Sequence, residues 1–257
     1  MRQIAGKFIQ QSARDLGDGL LGLIYPRTCY ACEAVMAEQE GRLCEDCITQ
    51  LHPITKPFCE VCGQPFSGDM MDGFQCSNCA DRALQFDFAR AAYRSQNIAR
   101  VLVHRFKYNG HFFLAALLGK MLNEALDDPR MAGVDDNSEW VLVPVPLHAR
   151  RFREREFNQA EELSREVARR RGLKTMNALR RNRYTRNQAI LDRAERLSNL
   201  RGAFAISPKT RERESVIGKK ILLVDDVLTT GATASECART LVASGAVKVV
   251  VITVVRG

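Results

Sequence analysis

The residues most able to do chemistry lie in two stretches. The first is Ile221-Leu-Leu-Val-Asp-Asp-Val-Leu-Thr-Thr-Gly-Ala-Thr233. Its apolar start predicts a buried strand that delivers two adjacent carboxylates, Asp225 and Asp226, to the carboxyl end of a sheet, where open α/β folds bind ligands. The turn that follows, Thr229-Thr230-Gly231-Ala232-Thr233, is rich in hydroxyls and opens a helix. First-turn N–H groups together with threonine hydroxyls suit a phosphate dianion, and Gly231 permits close backbone approach. The Gly-Lys-Ser/Thr ending of a Walker loop is absent. Carboxylates beside a phosphate cradle repel a bare anion, so the pattern makes sense when the phosphate hangs on a ribose whose hydroxyls donate to the acids. The alternative, an ordinary strand–turn–helix with a capping threonine, needs Asp-Asp to fall there by accident.

The second stretch holds eight of the nine cysteines in four pairs, Cys29/Cys32, Cys44/Cys47, Cys59/Cys62 and Cys76/Cys79, with gaps of 11, 11 and 13 residues. A two-residue spacer lets both thiolates of a tight turn face one tetrahedral ion, and two such turns close a structural zinc site. Gly63 suits a knuckle whose N–H groups approach the sulfurs. Disulfides need an oxidising compartment, a redox dithiol usually comes as one pair beside a βαβ pattern, and ferredoxin clusters use other spacings. Two structural zinc ions are therefore expected, supplying folding energy to a segment too short to bury much apolar area. Sequential ribbons are expected, Cys29–Cys47 on one ion and Cys59–Cys79 on the other; a cross-braced pairing, first with third and second with fourth, also fits the spacing. Cys237 reads as a small buried apolar residue of a later helix.

Holding these groups in place takes regular elements. Apolar residues at helical spacing between Ile4 and Ile24 predict a docking helix. Strands are expected at Phe86–Tyr93, Trp140–Pro146, Lys220–Asp226 and Val247–Val255, and helices at Ile98–Phe106, Phe112–Leu126, Gln159–Arg171 and Thr233–Ser244. Asp127–Glu139 is expected as a loop. Strands alternating with helices predict an α/β fold with a parallel sheet, divided as an N-terminal helix (1–25), a double zinc ribbon (26–82) and an α/β domain (83–257). Phe106, Tyr108, Phe112 and Phe113 suit base stacking, but at helical spacing they read as core, as does Trp140. His104 and His111 read as structural, and His148 as a solvated loop residue.

Composition narrows the class. The chain has 257 residues, 46% hydrophobic and 26% charged, which is globular usage and excludes disordered or collagen-like chains. No run approaches the eighteen or so apolar residues of a membrane span. The segment Gly19–Tyr25 follows Asp15 and Asp18 and leads to no small-residue cleavage site, so no secretory signal is expected and a cytoplasmic location is. The net charge of +8 is uneven, because Arg150–Arg213 carries nineteen Lys/Arg against eight Asp/Glu. Such a block wants phosphates, although Glu161, Glu162 and Glu166 alternating with Arg165, Arg169 and Arg170 equally fit a solvated helix face.

The Asp-Asp strand end and threonine-rich turn resemble the phosphoribosyl-diphosphate (PRPP) motif of type I phosphoribosyltransferases. Cysteine pairs ahead of such a domain resemble the ComF family, associated with DNA uptake in competent bacteria, including its GntX-like members. The resemblance is also carried by Phe106-Lys107-Tyr108-Asn109-Gly110, Val143-Pro144-Val145-Pro146-Leu147-His148, Phe157-Asn158-Gln159, Gln188 and Arg196-Leu-Ser-Asn199-Leu-Arg-Gly-Ala-Phe204. One departure stands out: Glu156 lies between Arg155 and Phe157 where the family pattern commonly has glycine, in a region that handles pyrophosphate.

The resemblance implies a type I phosphoribosyltransferase-like parallel sheet flanked by helices behind a small zinc-ribbon domain. It implies that Asp225 and Asp226 hold the ribose hydroxyls directly or through Mg²⁺, and that Thr229, Thr230, Gly231, Ala232 and Thr233 cradle the 5′-phosphate. Arg150, Arg151, Arg153 and Arg155, with Lys107, would face the diphosphate, and Asp225, Asp226 and Arg155 would form the catalytic set. The implied reaction is displacement of pyrophosphate from ribose C1 by a nitrogen nucleophile, with Mg²⁺ and arginines stabilising the leaving charge. The purine-salvage branch often carries an acid where this chain has Thr229, so a general base for a nucleobase is not evident. Two readings remain open: a phosphoribosyltransferase with an unidentified acceptor, or a non-catalytic PRPP-sensing module whose ribbons and basic block engage single-stranded DNA or DNA-uptake proteins.

Overall fold

The computed structural model describes residues 28–36, 42–68, 73–80, 84–108, 110–136, 138–183, 200–208 and 216–257. The docking helix expected over 4–24, and Gln188, lie outside the described residues. The chain divides into two compact units, Met1–Gln50 and Leu51–Gly257.

In the first unit Cys29 and Cys32 sit on a turn closed by a bridge between Thr28 and Val35. Glu33 takes φ +65° there, and its N–H donates to Cys29 O at 2.9 Å. Helix α1 (Glu45–Thr49) carries Cys47.

The second unit runs α2 (Ser77–Ala80), β1 (Phe88–Arg94), α3 (Asn97–Tyr108), α4 (Ala115–Asn123), β2 (Trp140–Pro144), α5 (Ala149–Arg155), α6 (Gln159–Arg171), β3 (Lys174–Thr175), β4 (Leu179–Arg181), β5 (Phe204–Ile206), β6 (Lys220–Leu228), α7 (Ala232–Val242) and β7 (Lys248–Arg256). Strands β1, β7, β6, β2 and β3 pair in that order, all parallel, while β4 and β5 form a separate antiparallel pair. Both faces of the sheet are covered, which is why its central strands read as continuous Val/Ile/Leu rather than alternating. On one face Cys237, Ala238 and Leu241 of α7 join a core with Ile221, Leu223, Val249 and Val251. The other is covered by α4 and α6, which pack on each other and on β6 and β7 and bury Leu118, Leu122, Leu163 and Val167.

The strands and helices expected from sequence within the described residues are present. The helix expected over 112–126 is α4 flanked by two short 3₁₀ turns, and a third 3₁₀ turn interrupts the following loop. Helix α5 and the β4–β5 pair were not expected. Helix α5 has no apolar stripe to announce it and buries no residue; His148 starts it, Nδ1 accepting from Arg150 N–H at 3.2 Å.

The second cysteine segment belongs to the same unit as the sheet and covers the outer edge of β1. Ile54 N–H donates to Ala92 O at 2.8 Å, Arg94 N–H to His52 O at 2.9 Å, and Ala89 N–H to Val61 O at 2.8 Å. These bonds satisfy an edge that would otherwise invite foreign strands. Gly63 (φ +66°) runs so close that a Cβ there would lie 2.9 Å from Ala89 O.

A buried ion network pins this arrangement. The guanidiniums of Arg90 and Arg130 lie 3.9 Å and 4.0 Å from the ring centroids of Phe58 and Phe88. They share Asp128, at 3.0 Å from Arg90 Nε and 2.8 Å from Arg130 Nη2, and Arg130 also meets Glu60 at 2.8 Å. Burial alone would raise the Asp128 carboxyl; hydrogen bonds from Arg130 and the Arg90 charge outweigh it and hold the group below its ordinary range. A depressed carboxyl contributes stability above its unfolded pKa and loses it as pH falls through the folded value. Asp128→Asn leaves the arginines without their shared anion, so thermal unfolding at pH 7 should register a loss of about 3 kcal/mol that shrinks in acid. A variant as stable as the parent at pH 7 would show that the network holds nothing.

Candidate functional site

The site exists because β6 outruns its neighbour. Strands β2 and β6 pair from Trp140–Lys220 to Pro144–Val224, and Val145 N–H still donates to Val224 O at 2.9 Å. Pro146 then offers no N–H to extend the ladder, while β6 continues along β7 as far as Leu228–Arg256. The parting opens a cleft between Val145–Leu147 and Asp225–Thr233, lined also by Lys107, Arg151, Arg155, Asn158, Gln159 and Arg181. Of the residues singled out from sequence, Lys107, Arg151, Arg155, Asp225, Asp226, Thr229, Thr230, Gly231, Ala232 and Thr233 all line it. Arg153 does not. Residues four apart on a helix share a face and those two apart do not, so α5 turns Arg151 and Arg155 inward and leaves Arg153 exposed. Arg150 is exposed too and pairs with Glu154 at 3.2 Å.

Strand alternation sends Asp225 and Asp226 to opposite faces. Asp226 is buried and meets Lys107 Nζ, from the last turn of α3, at 3.0 Å. Lys107 is thus committed to neutralising the inner acid. Among the described residues Asp225 has no cation at ion-pair distance. Burial and the Asp226 charge push its carboxyl up to about 7, against the pull of Lys107.

Beyond the carboxylates, Gly231 takes φ +76° and caps α7, its Cα backed by Phe86 and Leu84. Thr230 Oγ1 accepts from Ala232 N–H at 3.4 Å. The first turn of any helix leaves N–H groups without an intrahelical acceptor, and here that turn opens on the cleft beside three threonines.

On the opposite wall Asn158 Oδ1 caps α6 by accepting from Ala160 N–H at 3.1 Å, while Nδ2 donates to Val145 O at 3.1 Å. One side chain thereby ties the cleft wall to the helix. Gln159 is 2% exposed; its Oε1 accepts from Arg155 Nη1 at 3.0 Å, but among the described residues its Nε2 has no partner. A buried donor without an acceptor costs about 1–3 kcal/mol, which an acceptor atom on a ligand would remove. Arg155 also lies over the Tyr108 ring, 4.9 Å from its centroid. Gln159 and Arg181 were not singled out from sequence: the first was visible only as part of Phe157-Asn158-Gln159, and the second rides on a three-residue strand with no periodic signal.

Glu156 holds φ +66° at the end of α5, where glycine avoids a Cβ penalty. Its side chain is exposed and lies outside the cleft lining. The core reading of the aromatics needs correction. Phe106 is fully buried, but Tyr108, Phe112 and Phe113 are 62%, 69% and 45% exposed. Helix α3 spends its apolar face on Ala99, Leu102, Val103 and Phe106 and ends before another turn could bury Tyr108.

The cysteines assemble sequentially, as Cys29/Cys32/Cys44/Cys47 and Cys59/Cys62/Cys76/Cys79, with the sulfurs of each group within 4.8 Å of one another. Cross-bracing is excluded. Sγ–Sγ separations of 3.6 Å (Cys32–Cys44), 3.6 Å (Cys62–Cys76) and 3.7 Å (Cys76–Cys79) fit the edge of about 3.8 Å expected of a tetrahedron with Zn–S bonds of about 2.3 Å. The same backbone bond recurs in both groups, Cys44 N–H to Cys29 Sγ at 3.4 Å and Cys76 N–H to Cys59 Sγ at 3.3 Å. The Cys59 thiol is drawn down to about 4, first by the hydrogen bond from Cys62 and then, against burial, by the Cys76 N–H. Cys237 is fully buried and belongs to neither group.

A family model described as the double zinc ribbon domain matches residues 20–81. Competence protein F of Haemophilus influenzae is 27% identical over 214 residues, 83% of this chain and 90% of that protein. DNA utilization protein YhgH of Escherichia coli K12 is 28% identical over 229 residues, 88% and 96% of the two chains. Competence protein ComFC of Streptococcus pneumoniae is 28% identical over 227 residues, 86% and 91%. Among solved structures, glutamine phosphoribosylpyrophosphate amidotransferase from B. subtilis, complexed with ADP and GMP, overlays with a TM-score of 0.37 at 19% identity, over 58% of this chain and 30% of that one. The chain therefore spans less than a third of that protein. No helix among the described residues is long and apolar enough to cross a membrane.

The raised Asp225 carboxyl has a stability signature. A group whose folded pKa lies above its unfolded value contributes stability below the unfolded pKa and loses it as pH rises through the folded one. For Asp225 that window runs from about 4 to about 7. Asp225→Asn removes the ionisation, so the variant should melt several degrees above the parent at pH 8, with about 2–4 °C expected per kcal/mol, and the gap should narrow below pH 5. Differential scanning calorimetry across that range decides it; a variant that melts lower than the parent at pH 8 contradicts the assignment.

Proposed function

We propose that the chain is a ComF-family protein, a double zinc ribbon followed by a phosphoribosyltransferase-like domain, and that its cleft binds PRPP with Mg²⁺ and passes the phosphoribosyl group to a nitrogen nucleophile. The observation that carries this reading is the pairing of two anion-seeking walls around one unneutralised acid. The first turn of α7 and its threonines face Arg151, Arg155 and the unpartnered Gln159 Nε2 across Asp225. A ligand that spans them needs a phosphate at one end, hydroxyls in the middle and a second anion at the other end.

In this reading Thr229–Thr233 take the 5′-phosphate. Asp225 accepts from the ribose hydroxyls, and their donation draws its raised carboxyl toward the ionised form. Lys107, 3.0 Å from Asp226, offsets the charge of the inner acid and so limits repulsion along the strand. Arg151, Arg155 and Gln159 receive the diphosphate and stabilise the charge that grows on departing pyrophosphate. Mg²⁺ entering with PRPP would supply further positive charge to the departing pyrophosphate, with Asp225 the carboxylate available to it. Arg153 is left out of this set. The names of the relatives, competence and DNA utilisation proteins, support a role connected with DNA uptake. Two zinc-holding thiolate groups suit the reducing cytoplasm.

A second reading is favoured by a specific observation. Among the described residues the cleft lining contains no carboxylate besides Asp225 and Asp226, so none of them beyond that pair offers a base to an acceptor. Exposed Tyr108, Phe112 and Phe113, together with Arg155, also suit stacked bases. The protein would then sense PRPP and hold single-stranded DNA without turnover.

Calorimetry with PRPP and Mg²⁺ tests both. Asp225→Asn with Asp226→Asn removes anionic acceptors worth about 1.5–3 kcal/mol, so affinity should fall at least tenfold. Gln159→Glu should weaken PRPP by a similar factor and change ribose 5-phosphate by less than about threefold, since only the diphosphate meets that wall. Unchanged affinity in the double variant would mean that the motif is only a turn. Pyrophosphate released from PRPP in the presence of amines or bases selects the enzyme. No release, with DNA binding lost on Tyr108→Ala and Phe112→Ala, selects the sensor.

A further inference from the structure

We propose that Arg256 is a positioning residue that couples the second cysteine group to the phosphate loop, so that zinc held by Cys59, Cys62, Cys76 and Cys79 sets how well the cleft receives a phosphosugar. Only the ligand-binding part of this inference rests on the PRPP reading.

Arg256 ends β7 and is 5% exposed. Its guanidinium is divided between two elements. Nε donates to Cys62 O at 3.1 Å and Nη2 to Cys62 Sγ at 3.5 Å, while Nη1 donates to Leu228 O at 3.0 Å. Leu228 is the last residue of β6, and the next residue, Thr229, begins the loop. The same carbonyl accepts from Gly257 N–H at 2.9 Å. One buried side chain therefore holds a metal-ligating sulfur with one nitrogen and the root of the phosphate loop with another.

A second route runs in parallel. Val61, between two of the cysteines, and Leu84, just beyond them, pack against both the cysteine cluster and the core of the sheet. Leu84 and Phe86 form the surface behind Gly231, and Gln85 N–H donates to Ser235 Oγ at 3.0 Å in the first turn of α7. Leu84, Gln85 and Phe86 are thus the floor on which the phosphate-binding turn rests.

Zinc matters to this coupling for two reasons. A zinc-bound cysteine is a thiolate, and a guanidinium donates to a thiolate more strongly than to a thiol. The ion also supplies the folding energy of a segment with little apolar core. When the ion leaves, the turn that presents Cys62 O and Sγ is no longer held, so Nε and Nη2 lose fixed acceptors while Nη1 keeps Leu228 O and Gly257 O. Unmet donors on a buried guanidinium are costly, which favours its re-seating and loosens its hold on the Leu228 carbonyl. Lysine keeps the charge but offers a compact head in place of a planar fork, and cannot span the same three acceptors.

The test uses the zinc-loaded full chain as parent, Arg256→Lys and Arg256→Met. Amide hydrogen exchange of residues 229–234 should quicken about tenfold in Arg256→Met and less in Arg256→Lys, while Leu222–Val224 and Val249–Ile252 keep parental rates. By reciprocity, a ligand that binds more tightly to the zinc-loaded chain must also raise zinc affinity. Saturating ribose 5-phosphate should therefore raise the affinity of one of the two zinc sites several-fold, read by equilibrium competition with a chromogenic chelator, in the parent and not in Arg256→Met. Should Arg256→Met fail to fold, Arg256→Lys carries the same comparison. Unchanged loop exchange in a folded variant overturns the coupling, as does ligand-independent zinc affinity in a sample that calorimetry shows to bind ribose 5-phosphate. If the parent binds no phosphosugar at all, the PRPP reading falls and the exchange rates alone decide whether Arg256 positions the loop.

Discussion

Two carboxylates on consecutive residues of a mostly buried strand repel each other, and the cleft is built around how that repulsion is met. Asp226 takes Lys107 as counter-ion at 3.0 Å. Asp225 takes none among the described residues, and burial beside Asp226 pushes its carboxyl up to about 7. A fold selected only for stability would place an apolar residue there, as it does at Leu223 and Val224 one register earlier. The cost is borne at the position where β2 has ended and β6 has not, so that the acid lines the cleft where a ligand can reach it. The threonine turn, the α6 cap at Asn158 and the idle Gln159 amide all converge on that space.

The cysteine-rich part contributes to this architecture in two distinct ways. Its first group, with its own turn and helix α1, forms a compact unit by itself. Its second group belongs to the α/β unit, pairing with the outer edge of β1 and sharing with it the network of Arg90, Asp128, Arg130 and Glu60. The two groups share a local plan, a Cys-x-x-Cys turn followed by a residue at positive φ, which is Glu33 in one and Gly63 in the other. Only the second has a reason to be glycine, since Ala89 O leaves no room for a Cβ.

Much of this was legible in sequence, and the failures have physical causes. The Cys-x-x-Cys spacing encodes the chelate directly, so the two metal groups could be read without a fold; which pairs share an ion depends on chain path and needed the structure. Strand β6 was legible because a buried parallel strand is a run of apolar residues, and α6 because Asn158 and Gly172 punctuate it at both ends. Helix α5 was not, since its seven residues bury nothing. Missing it, sequence reasoning treated Arg151, Arg153 and Arg155 as one cluster, whereas helical geometry splits them. The aromatics failed for a related reason: periodicity at Phe106 and Tyr108 says which face a residue takes only while the helix lasts, and α3 stops at Tyr108. Gln159 carried no signal of its own, because its significance is an unmet hydrogen bond, which only a packed structure reveals.

The central claim is that one ligand spans both walls of the cleft with its hydroxyls on Asp225, and crystals of the full chain grown with PRPP and Mn²⁺ test it most directly. The account predicts the 5′-phosphate at the first turn of α7, the ribose hydroxyls within hydrogen-bonding reach of Asp225, and the anomalous signal of the metal between them and the diphosphate, which faces Arg151, Arg155 and Gln159. PRPP seated with its diphosphate on the threonine turn, or bound away from Asp225, would contradict it.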